Sequence, residues 1–101
     1  MTVSEIKSFE FFRQLTRLSY VNEIYLYGSR ARGDHSAKSD IDLAIICPKA
    51  TTEQWLEILE IIENADTLLE IDCVRYDDLA NSELRENIDR EHVVLFSRVE
   101  K

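Results

Sequence analysis

The chain has 101 residues, of which 45% are hydrophobic and 32% charged, with a formal net charge of −8. That length and composition suit one domain, spanning 1–101, with a modest core, and exclude a disordered chain. The acidity disfavours a nucleic-acid backbone, so direct nucleic-acid binding is not expected; it reads as solubility, with attraction to a basic partner as the alternative.

No apolar run approaches the ~18 residues of a membrane helix, so no membrane association is expected. The N-terminal segment carries Glu5, Lys7, Glu10 and Arg13 and lacks the unbroken apolar core of a signal peptide. Cys47 and Cys73 lie in apolar runs without CxxC or Cys/His spacing. They read as buried, reduced thiols in a cytoplasmic protein.

Residues 3–19 read as one helix. Thr2 and Glu5 make a capping-box pattern, and Phe11, Leu15 and Leu18, widened by Phe9 and Phe12, form its apolar stripe. Residues 21–27 follow as a strand that Gly28 ends, because glycine allows a sharp turn or a close ligand approach. Ser29-Arg30-Ala31-Arg32 begins a short helical turn whose first N–H groups face an anion. Residues 40–47 form a second strand, buried on both faces after its first turn and stopped by Pro48.

Thr51-x-x-Gln54 caps a helix reaching about residue 64. Trp55, Leu56, Leu59 and Ile62 line one side of it, and Glu53, Glu57, Glu60 and Glu63 make a solvated row on another. Residues 68–76 read as a third strand with Glu70, Asp72 and Val74 on one face, 77–90 as a helix with Leu84 and Ile88 four apart, and 92–97 as a fourth strand. The alternation implies an α/β fold in which helices cover a small sheet.

The chemistry concentrates where the first two strands meet. Asp40 and Asp42, two apart on a strand, project side by side. Two carboxylates held so close repel unless a cation lies between them, and hard oxygen ligands suit magnesium or manganese. With Asp72 they make three carboxylates at the ends of two strands, enough for two divalent ions in phosphoryl-type transfer. Gly28-Ser29 and its turn would hold the polyphosphate, with Arg30, Arg32 and Lys38 adding local positive charge to an acidic chain. His35 reads as an exposed loop residue, His92 as structural, Tyr25 and Tyr27 as packed strand aromatics, and Arg75 as a surface residue.

Gly28-Ser29, ten intervening residues, then Asp40-Ile41-Asp42 resembles the signature of the DNA polymerase β-like nucleotidyltransferase superfamily. The compact form is similar to its minimal nucleotidyltransferase (MNT) branch, and the resemblance runs over nearly the whole chain. It implies a small mixed four-stranded sheet with helices packed on it, ATP as substrate and two Mg2+ ions. It also implies that Ser29 contacts triphosphate oxygens, that Asp40 and Asp42 bind both ions, and that Asp72 binds the catalytic ion and draws the proton from an acceptor hydroxyl. Glu70, two residues earlier, is an alternative to Asp72. Larger members carry further domains for the acceptor, so here the acceptor is expected from a separate protein. In the MNT branch that partner is a HEPN toxin, adenylylated on a tyrosine by the MNT antitoxin. Two other readings stand: a binding module that neutralises its HEPN partner by complex formation alone, and an aminoglycoside-type small-molecule nucleotidyltransferase.

Overall fold

The computed structural model describes residues 2–98. Its elements run α1 (Val3–Ser8), α2 (Glu10–Arg17), β1 (Glu23–Tyr27), α3 (Ser29–Arg32), β2 (Ile41–Ile46), α4 (Thr52–Glu63), β3 (Ile71–Arg75), a 3-10 turn (Tyr76–Asp78), α5 (Glu83–Arg90) and β4 (Val93–Ser97). The four strands form one mixed sheet in the order β3-β2-β1-β4. β1 pairs antiparallel with both β2 and β4, whereas β2 and β3 run parallel and are joined through α4.

Strand alternation gives the sheet two unlike faces. Ile24 and Leu26 of β1 and Ile41, Leu43 and Ile45 of β2 point into the larger core with Ile6, Phe11, Phe12 and Leu15 of α1 and α2 and Ile58 of α4. On the opposite face Tyr27, Ala44 and Ile88 make a smaller cluster, edged by Tyr25, Val74, Tyr76, Leu79 and Leu84. Asp42 alternates with Ile41 and Leu43 and so belongs to this second face.

The predicted single helix over 3–19 is two helices. Phe9 breaks it with ψ 146°, and the N–H groups of Glu10 and Phe11 donate to the Asp66 carboxylate at 3.1 and 3.2 Å. A cap supplied from a distant loop thus starts α2 where the local sequence shows no signal. Those bonds also hold the Asp66 carboxyl below its ordinary value. The predicted helix over 77–90 is likewise divided. Asn81 takes a left-handed φ of 63° and Ser82 caps α5 by accepting from the Arg85 N–H.

On α4 both capping-box bonds of Thr51 and Gln54 form, as expected. The packed stripe differs, however: Trp55, Ile58, Ile61 and Ile62 meet the core, while Leu56 is 56% exposed. The four glutamates all lie on the exposed surface. Each strand is shorter than its predicted span, so Asp40 and Glu70 stand just outside β2 and β3. Arg75 is not a surface residue. Its Nη2 donates to the carbonyls of Cys47 and Ala50, both at 2.9 Å, and so pins the turn after β2. Burial pushes the Cys47 thiol up to about 11 and that of Cys73 to about 12, keeping both protonated. No described helix is long and apolar enough to cross a membrane.

Candidate active site

The site forms where β1 gives way to α3 and where β2 and β3 begin. The parallel register pairs Asp42 with Asp72, and the antiparallel register pairs Asp42 with Tyr27. Two carboxylates and a tyrosine from three neighbouring strands therefore share one face. Asp42 is half-buried while Asp40 and Asp72 are exposed. Burial, then the charges of Asp72 and Asp40, raise the Asp42 carboxyl above its usual 3.8; the cations Arg30 and Arg32 oppose the shift by less. Tyr27, 8% exposed, has its phenol pushed up by burial first and then by Asp72 and Asp42.

Gly28 is required twice over. Its φ of 74° and ψ of −153° fall in a region open to glycine alone. A β-carbon there would also collide with the Asp42 carboxylate. The turn and the acidic pair are thus in direct contact. From Gly28 the chain enters α3, where the Ala31 and Arg32 N–H groups donate to the Gly28 carbonyl at 3.1 Å. Ser29 and Arg30 head that turn.

The basic residues divide. Arg30, expected among the phosphate-binding groups, is only 7% exposed. Its Nε and Nη2 donate to the Ser39 carbonyl at 3.2 and 2.9 Å, with a longer contact to Ala37. Buried carbonyls need donors, and this guanidinium supplies them, bracing the loop that delivers Asp40. Its Nη1 is buried without a partner among the described residues. Arg32 is exposed, bonded through Nε to Asp34 at 3.1 Å and paired with Glu91 at 3.7 Å. Lys38 is exposed in the loop.

Asp72, not Glu70, stands opposite Asp42. Glu70 precedes the strand and lines a separate depression with Ile62, Glu63 and Ile71. His35 is half-buried rather than exposed, its Nδ1 without a partner among the described residues. His92 is structural: it stacks on Tyr25 with centroids 4.1 Å apart and bonds the Ile88 carbonyl at 2.7 Å.

Among the described residues no three His, Cys, Asp or Glu side chains make a ready-made metal cage. The donor set nevertheless fits magnesium, which is held by one or two carboxylates together with substrate phosphates rather than by an all-protein cage.

Beside Gly28 an open depression of about 450 Å³ is lined by Tyr27, Arg32, Leu84, Asn87 and Glu91. Sequence reasoning missed the last three. The spacing of Leu84 and Asn87 on α5, with Glu91 just past its end, was the available signal, but nothing local showed which strand end that side would meet.

The family model for polymerase beta nucleotidyltransferases matches residues 11–101. The chain belongs to the polymerase beta nucleotidyltransferase family. Among relatives of this nucleotidyltransferase, a Methanocaldococcus jannaschii protein named "Putative protein adenylyltransferase MJ1379" is 29% identical over 94 residues, covering 89% of this chain and 94% of the relative. Two solved structures share the fold. One is a toxin–antitoxin with AMP-PNP, with a TM-score of 0.65 at 21% identity over 86% of this chain and 71% of that one. The other is a mutant of the toxin–antitoxin MntA-HpeT, with a TM-score of 0.63 at 18% identity over 96% of this chain and 74% of that one.

Proposed function

We propose that this nucleotidyltransferase moves AMP from ATP, with magnesium, onto a tyrosine hydroxyl of a HEPN toxin partner and serves as its antitoxin. The observation that carries the reading is the cross-strand register of Asp42 with Asp72 against the Gly28-Ser29 turn. The name of the M. jannaschii relative and the toxin–antitoxin structure holding an ATP analogue support it.

In this reading Ser29 and the head of α3 take phosphate oxygens, and exposed Arg32 supplies counter-charge at the turn. Asp40, Asp42 and Asp72 would hold the magnesium. When bound, the metal supplies charge compensation for the attacking and leaving oxygens. Asp72, exposed at the rim, accepts the proton of the incoming hydroxyl as the new oxygen–phosphorus bond forms and the bond to pyrophosphate breaks. Gly28 keeps the backbone close to the Asp42 carboxylate, so bound phosphate would lie beside the acids that would hold the metal.

The test is intact-mass spectrometry of the toxin after incubation with this chain, ATP and magnesium. A toxin gaining AMP, and not doing so with Asp42→Asn, supports the reading. An unmodified toxin rejects it. Suppression of toxicity by Asp42→Asn would instead favour neutralisation by complex formation.

A further inference from the structure

We infer that the depression between the end of β1 and α5 receives the nucleobase, and that Asn87 and Glu91 read the edge of an adenine there. This rests on the nucleotidyl-transfer reading above. The depression opens beside Gly28, which already abuts the Asp42 carboxylate. A nucleotide with its phosphates over the turn therefore has this space next to it. At about 450 Å³ the volume lies within the range of small-molecule sites.

Its walls are of two kinds. Tyr27 and Leu84 offer apolar surface to a flat ring. Leu84 and Asn87, three apart, present one side of α5, and Glu91 is the residue that closes its C-terminal end. The polar pair has a defined sense. Arg90 Nη2 donates to Asn87 Oδ1 at 2.6 Å. A guanidinium has donors only, so the amide end it touches is the oxygen, and the nitrogen is the group Asn87 can offer as a donor. Glu91 meets Arg32 at 3.7 Å and Arg90 at 3.9 Å. Both exceed hydrogen-bond length, so its carboxylate keeps acceptor capacity.

A donor and an acceptor on neighbouring positions complement an edge that sets a ring-nitrogen acceptor beside an amino donor. Adenine has that edge, and so does the smaller cytosine. Inosine reverses it, with a protonated ring nitrogen beside a carbonyl. Asn87→Asp replaces the donor by an acceptor, and Glu91→Gln weakens the acceptor.

Titration calorimetry with magnesium and ATP, ITP, CTP or inorganic tripolyphosphate tests this. The wild type is expected to bind ATP about tenfold more tightly than ITP, and Asn87→Asp to lose about tenfold for ATP while narrowing the ATP-to-ITP ratio. Glu91→Gln shifts both in the same direction. Tripolyphosphate binding by Asn87→Asp is expected to match the wild type, which separates base reading from a damaged fold, while Glu91→Gln releases Arg32 from an ion pair and is expected to bind tripolyphosphate at least as tightly. An unchanged ATP-to-ITP ratio in both variants, or CTP binding untouched by Asn87→Asp although cytosine presents the same edge, overturns the assignment while leaving nucleotidyl transfer intact. A wild type that binds tripolyphosphate but discriminates no nucleotide also overturns it. Failure of the wild type to bind any of these ligands would overturn the parent reading as well.

Discussion

The two faces of β2 differ in what they contribute. Ile41, Leu43 and Ile45 enter the larger core, fully buried against the helices of one side. Asp42, between the first two, faces the other way and is held against its electrostatic preference by burial and by Asp72 and Asp40. In the reading proposed above, alternation gives Ile41, Leu43 and Ile45 to stability and Asp42 to chemistry, with Ala44 packed in the smaller cluster beside it. Mutations at Ile41, Leu43 or Ile45 should lower stability and leave turnover of the folded molecules intact; those at Asp42 should lower turnover and spare stability.

The largest expected effect tests the chemical face. Asp42→Asn or Asp72→Asn should lower adenylyl transfer by about 1,000-fold, the scale set by losing several kcal/mol of charge stabilisation. Thermal melting without metal should show no loss of Tm, because the substitution removes a like-charge repulsion. A large drop in Tm would break the division. On the apolar face, Leu43→Ala should cost about 2–5 kcal/mol in urea denaturation, while kcat per folded molecule stays at the wild-type value.

Gly28→Ala sits between the two faces and should violate the division. It strains a glycine-only backbone by about 1–3 kcal/mol and displaces the Asp42 carboxylate. A misplacement of that kind lowers transfer by about 100-fold. Loss of both stability and activity, measured on the same preparation, is the expected outcome.

The smallest effect is a pH slope. Folding raises the Asp42 carboxyl above 3.8, so the native state holds that proton more tightly than the unfolded chain. Asp42's contribution to stability is therefore greatest below 3.8 and falls as pH rises through the raised value. In metal-free melts, Asp42→Asn should remove this slope relative to the wild type. Magnesium should raise the wild-type Tm at neutral pH and raise that of the variant less.

Much of this was legible in the chain because it depends on short-range pattern. The Thr51–Gln54 capping box, the alternation in β2 and the turn at Gly28-Ser29 appear in the structure where the sequence put them, while Asp40 stands just ahead of the strand it was expected to begin. What was not legible depends on groups far apart. Nothing near Phe9 announces that Asp66 will cap a new helix there. Nor does a basic residue beside a glycine-serine turn reveal that Arg30 will turn inward to the Ser39 carbonyl. Which of Asp72 and Glu70 stands opposite Asp42 needed the register of β2 on β3, and only a two-residue slip would have put Glu70 there.

The parallel pairing of β2 and β3 has one more consequence. Strands running the same way cannot be joined by a hairpin, so Asp42 and Asp72 meet only once the intervening connection has passed through α4 and packed against the sheet. No short excised peptide holds both acids in place. Turnover is therefore a sensor of cooperative folding: a nicked or half-denatured molecule falls silent, however intact its glycine-serine turn.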